Sequence, residues 1–209
     1  MVSPAHLFAL VSRERVMPII RCHSGADAVR LGRALIEAGF GALEVSLTTP
    51  GALDAIAELA AIGAAQVGAG TVLTVQDVAD AHAAGATFMV TPASTESLSE
   101  SVARELPVLA GALTPTEILA AWNAGATAVK LFPAELGGPT YFSALRAPLP
   151  DIPLIPVGGI TVESGRDYLS RGAVALGVGS PLTGRANDTF DRASLNERAH
   201  AFLSLRGTS

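Results

Sequence analysis

The chain has 209 residues, 49% hydrophobic and only 16% charged, which supplies a large core and excludes an intrinsically disordered protein. Its formal net charge of -5 argues against nucleic-acid binding, which draws on clustered Lys and Arg. One cysteine, Cys22, excludes an intrachain disulfide and fits a reducing, cytosolic setting.

The N-terminal stretch MVSPAHLFALVSRERVMPII has no basic leader ahead of an apolar run. No later segment reaches about 18 uninterrupted apolar residues, so the expectation is a soluble, cytoplasmic protein without membrane attachment. Ala5–Arg15 reads as a first helix. Apolar runs rich in Val, Ile and Leu then recur at Val16–Ile20, Ala42–Leu47, Gln66–Val72, Thr87–Thr91, Pro107–Leu113, Ala128–Phe132, Pro153–Val157 and Ala173–Val178. Between them lie segments with helical periodicity, among them Ala26–Ala38, Val75–Ala84, Thr116–Ala124 and Glu163–Ser170. Gly39, Gly85, Gly125 and Gly172 sit where a left-handed C-cap is expected. Thr74 and Thr114 are expected N-caps, with Pro115 at a first helical position.

Alternating strands and helices predict the α/β class with parallel strands. Eight such units fit a single (β/α)8 TIM barrel domain over residues 1–209, its extra N-terminal helix capping the bottom. An open doubly wound sheet is the rival, and it usually has fewer strands and longer connections.

In a barrel the chemistry sits at the C-terminal strand ends, and alternation decides which side chains point inward. In Ala128–Phe132, Val129 and Leu131 face the helices, leaving Ala128 and Lys130 inside. In Ala42–Leu47 the same parity sends Glu44 and Ser46 inward. The 14 basic residues comprise 13 arginines and one lysine, Lys130. A buried salt bridge is the structural alternative, but such pairs stabilise poorly and arginine would serve a fixed charge better. Lysine alone can lose its proton and attack a carbonyl, so a Schiff base on Lys130, with Glu44 moving protons, is the sharper expectation.

Arg21 ends the first strand and suits either an oxyanion clamp or a solvated loop. Thr71 offers a hydroxyl at another strand end. Its Gly68-Ala69-Gly70 approach lacks the third glycine of a dinucleotide fingerprint. Gly158-Gly159 and Gly179-Ser180 close the last two strands, where barrels commonly hold phosphate on backbone N–H groups; ordinary turn glycines are the alternative. His6, His23, His82 and His200 are scattered without metal-ligand spacing, with His6 and His200 expected in terminal or surface roles. Trp122 falls in a predicted helix and is expected to pack.

Leu43-Glu44-Val45-Ser46-Leu47-Thr48-Thr49-Pro50, Val67-Gly68-Ala69-Gly70-Thr71-Val72, Val90-Thr91-Pro92, Val129-Lys130-Leu131-Phe132-Pro133-Ala134-Glu135, Pro156-Val157-Gly158-Gly159-Ile160 and Gly177-Val178-Gly179-Ser180 follow in order. Together they resemble the 2-keto-3-deoxy-6-phosphogluconate and 2-keto-3-deoxy-6-phosphogalactonate aldolases over nearly the whole chain. The resemblance implies a metal- and cofactor-independent class I aldolase, usually trimeric, yielding pyruvate and glyceraldehyde 3-phosphate. It assigns the Schiff base to Lys130 and proton handling to Glu44. It also places Thr71 and Pro92 at the pyruvate-derived half, Gly158, Gly159, Gly179 and Ser180 around the phosphate, and Arg21 in the pocket. Some members carry an arginine where this chain has Thr48, which shifts carboxylate binding toward Arg21 and Thr71. Rival readings are a 4-hydroxy-2-oxoglutarate aldolase and a non-catalytic barrel that senses a phosphorylated metabolite.

Overall fold

The computed structural model describes residues 2–185 and 190–207. Helix α1 (Pro4–Glu14) leads into β1 (Val16–Ile20), α2 (Gly25–Glu37), β2 (Ala42–Ser46), α3 (Ala52–Ala60) and β3 (Gln66–Gly70). Then follow α4 (Val75–Ala83), β4 (Phe88–Val90), α5 (Glu96–Ala103), β5 (Val108–Ala112), α6 (Pro115–Asn123) and β6 (Ala128–Leu131). A 3-10 turn (Ala134–Leu136) precedes α7 (Gly138–Arg146), β7 (Leu154–Pro156), α8 (Val162–Ser170), β8 (Leu176–Val178), the short α9 (Ser180–Thr183) and α10 (Arg192–Leu203).

The eight strands form one sheet in the order β7-β6-β5-β4-β3-β2-β1-β8, every pairing parallel. A parallel bridge between Val157 and Gly177, with Val174 N–H donating to Leu154 O at 3.1 Å, joins β7 to β8 and closes the ring. This is the (β/α)8 barrel, not the open sheet. Thr74 and Thr114 cap their helices in capping boxes with Asp77 and Glu117, and Pro115 opens α6. All four expected corner glycines have positive φ.

Two apolar clusters divide the work. One lies between the strands and the surrounding helices. The other fills the barrel with Met17, Ile19, Phe88, Val90, Leu109, Ala128 and Ile155, and Leu7 and Val11 of α1 plug it from below. Gly68 faces inward on β3, and a Cβ there would collide with the Phe88 ring. The large aromatic is thus accommodated by a missing side chain on the neighbouring strand.

Most strands are shorter than the apolar runs that predict them. Val72 and Leu113 lie past the last paired residues, yet Val72 is buried and Leu113 packs against the outer core. Hydrophobicity reports burial, whereas strand bounds report pairing. Trp122 is a correction. It is 36% exposed on α6, lining a surface groove with Phe8, because the core-facing positions of that helix are Ile118 and Ala121. Among the described residues no helix is long and apolar enough to cross a membrane.

Gly68→Ala is expected to destabilise the protein by about 1–3 kcal/mol through overpacking against Phe88. The check is urea unfolding, where the midpoint should fall at constant m value.

Candidate active site

Val129 and Leu131 pack in the outer cluster and Ala128 in the inner one, so Lys130 shares the inner face of β6. Leu43 and Val45 likewise pack outward from β2, turning Glu44 and Ser46 inward. Strands β2 and β6 stand on opposite sides of the ring, so the amine and the carboxylate face one another across its interior. Lys130 is 6% exposed and Glu44 1%.

Lys130 Nζ lies over the Phe132 ring, 5.2 Å from its centroid. No ion pair among the described residues joins Lys130 to Glu44. Glu44 Oε2 is buried with no hydrogen-bond partner. Burial pushes the Glu44 carboxyl above the ordinary glutamate range, and the positive charges of Lys130 and Arg21 pull it back only in part. Such a group keeps its proton to higher pH than an exposed glutamate, which suits it to general acid–base work.

Neighbouring strands make room for this pair. Gly70 stands in register with Ser46, and a Cβ on it would collide with Glu44 Oε1. Gly111 stands in register with Lys130, and a Cβ there would strike the Pro92 backbone, so the turn after β4 folds in over a bare stretch of β5. Thr91 Oγ1 fixes that turn by accepting from Gly111 N–H at 3.0 Å.

All nine residues singled out in the sequence line one cavity of about 180 Å³ at the C-terminal ends of the strands. Glu44, Lys130 and Ile19 line it from β2, β6 and β1, and Thr71 and Pro92 come from the turns after β3 and β4. Arg21 reaches the cavity from the end of β1 while remaining exposed, so it both lines the pocket and meets solvent. Gly158 and Gly159, at φ 107 and 66, turn the chain after β7, and Gly179 and Ser180 close β8. Such consecutive left-handed conformations are open to glycine and strained for other residues.

Phe132, Val157 and Pro181 also line the cavity and were not singled out. Phe132 had a signal: it follows Lys130 by two residues and so shares its parity. A larger cavity of about 470 Å³ adjoins through Arg21. There Arg30 is paired with Asp27, and Arg198 donates to Leu182 O at 2.8 Å. Among the described residues no three His, Cys, Asp or Glu side chains gather closely enough to hold a metal ion. His6 and His200 lie on the surface.

The structure is thus a parallel barrel with an inward amine opposite an inward carboxylate at the C-terminal ends of its strands, the face where barrels of this kind carry their chemistry. The family model described as KDPG and KHG aldolase matches residues 8–194, and the chain belongs to that family. It is 38% identical over 169 residues to the 2-dehydro-3-deoxy-phosphogluconate aldolase of Pseudomonas aeruginosa, covering 79% of this chain and 77% of that one. It is 35% identical over 192 residues to the 2-dehydro-3-deoxy-6-phosphogalactonate aldolase of Escherichia coli, covering 90% and 92%. The solved KDPG aldolase of Legionella pneumophila, with pyruvate captured as a covalent carbinolamine, superposes with a TM-score of 0.80 at 29% identity, covering 97% and 96%.

The raised Glu44 value fixes a pH signature. Below the ordinary glutamate value both folded and unfolded chains hold this proton. As pH rises through the folded-state value, the buried group is forced to ionise and its contribution to stability is lost. Glu44→Gln is therefore expected to raise Tm relative to wild type near neutral pH, with the gain vanishing toward about pH 4. Thermal melts across that range check it.

Proposed function

We propose that the chain is a class I aldolase that reversibly cleaves a 2-keto-3-deoxy-6-phosphoaldonate, of gluconate or galactonate type, to pyruvate and glyceraldehyde 3-phosphate. The observation that carries the reading is the sheltered Lys130 amine facing the buried, unpartnered Glu44 carboxyl in one cavity. In its neutral form the Lys130 amine attacks the C2 carbonyl and forms a carbinolamine. Glu44 gives a proton to the departing hydroxyl, water leaves, and an iminium remains. The Glu44 carboxylate then takes the proton of the C4 hydroxyl. The C3–C4 bond breaks, its electron pair flows into the iminium as an enamine, and the aldehyde departs. Glu44 returns its proton to C3. Water then adds to the new iminium and gives one proton back to Glu44, and the resulting carbinolamine collapses to pyruvate and the neutral amine.

Backbone N–H groups around Gly158, Gly159, Gly179 and Ser180 are the proposed seat of the phosphate, since glycine permits close approach to an anion. Thr71, Pro92 and Arg21 are proposed to hold the keto-acid end and the rest of the substrate. The reading extends, through the family likeness, to a cytoplasmic homotrimer that needs no metal or cofactor.

Lys130→Arg keeps the charge and is expected to abolish covalent capture of pyruvate under borohydride, read as loss of the single carboxyethyl adduct in intact mass. Cleavage should disappear with it, and retained cleavage would sink the mechanism. Glu44→Gln is expected to lower kcat by about 10²–10⁴-fold while the amine still forms the adduct. Assays with both C4 epimers and with 4-hydroxy-2-oxoglutarate test the substrate class; the phosphorylated acids should show the higher kcat/KM.

A further inference from the structure

Three hydroxyls at the open ends of β2 and β3 form a chain, of which the proposed function above uses only Thr71. Ser46 Oγ lies 2.8 Å from Thr48 Oγ1 and 2.9 Å from Thr71 Oγ1. The middle member is fully buried, Thr48 at one end is exposed, and Thr71 at the other lines the cavity.

Each hydroxyl carries one hydrogen and can also accept, so two links use two of the three hydrogens. If Ser46 accepted from both neighbours, its own hydrogen would be left in the core with no acceptor, a cost of about 1–3 kcal/mol. Ser46 therefore donates to one neighbour and accepts from the other. Two arrangements remain: one leaves a free hydrogen on Thr71, the other on Thr48.

Thr71 has a left-handed backbone at φ 59, a conformation that costs a β-branched residue about 1–3 kcal/mol. The Ser46 link is the side-chain bond that ties Thr71 in that conformation to β2. An anion in the cavity selects the arrangement running Thr48 to Ser46 to Thr71, which aims the spare hydrogen at it. The exposed Thr48 oxygen then accepts from bulk water, and no buried group goes unpaired.

We propose that Ser46 and Thr48 are positioning residues that hold the Thr71 hydroxyl as a directed donor to the carboxylate of the bound keto acid. This rests on the aldolase reading above. Arg21 supplies charge from an exposed, adaptable side chain, while the hydroxyl chain supplies direction.

The test measures the pyruvate concentration that half-saturates borohydride trapping on Lys130, together with kcat and KM for cleavage. Ser46→Ala is expected to raise the half-saturating pyruvate and KM about tenfold, the weight of one hydrogen bond to a charged group, and to lower kcat by less than about threefold. Thr48→Val should shift the same quantities in the same direction, and Thr48→Ser should restore them. In a Thr71→Val background, Ser46→Ala should add nothing further, since the donor it orients is gone. Unchanged half-saturation in Ser46→Ala and Thr48→Val, with wild type still trapping pyruvate, overturns this proposal alone. No trapping in wild type overturns the aldolase reading and this inference with it. Thr48 is on the surface, so its variants report on the chain even should Ser46→Ala fail to fold.

Discussion

Charge placed inside a ring of parallel strands cannot rely on water, and the barrel interior is organised around that difficulty. Glu44 and Lys130 are both buried on the inner face of the barrel, and among the described residues they are not drawn together into an ion pair. A direct pair would quench both groups. Separation leaves an acid with an elevated affinity for its proton and an amine next to an aromatic ring. The elevated proton affinity of Glu44 suits a group that must change protonation state during a reaction.

Holding charges apart in a packed interior requires space, and the space comes from glycine. Gly68, Gly70 and Gly111 all point inward, beside Phe88, Glu44 and the Pro92 turn respectively. Each accommodates a neighbour that could not otherwise occupy its position. The Gly68-Ala69-Gly70 sequence therefore has a packing explanation. Its resemblance to part of a nucleotide-binding fingerprint comes from small residues serving a different purpose: two inward positions emptied for side chains on adjacent strands, with Ala69 facing the helices between them.

Much of this was legible in the chain. Eight apolar runs, the capping threonines and the corner glycines carry local information, and the barrel follows from their count and spacing. Parity placed Lys130 and Glu44 inside because each is an ionisable residue alone in a strand. Other features depend on three-dimensional neighbours. Ser46, Thr48 and Thr71 are ordinary hydroxyl residues until the β2–β3 register brings Ser46 beside Gly70 and within reach of Thr71. Trp122 read as a packing residue because large aromatics usually are, yet the helical face it occupies was set by Ile118 and Ala121. Arg21 sat between two readings, and its position, exposed yet lining the cavity, is compatible with either.

The join between β7 and β8 has a mechanical consequence. Four continuous ladders link β2 to β6 along one arc, so the separation of Glu44 and Lys130 is spanned by unbroken pairing. The opposite arc contains the lightly stitched seam, with a single bridge between strands of only three residues each. Sparse backbone pairing opens more readily than dense pairing. The sparser pairing thus lies on the side bearing the Gly158-Gly159 and Gly179 turns, while Glu44 and Lys130 are joined through the denser arc. The molecule resembles a clasp, stiff along its back and sprung at its fastening, with the proton-transfer groups fixed to the stiff part.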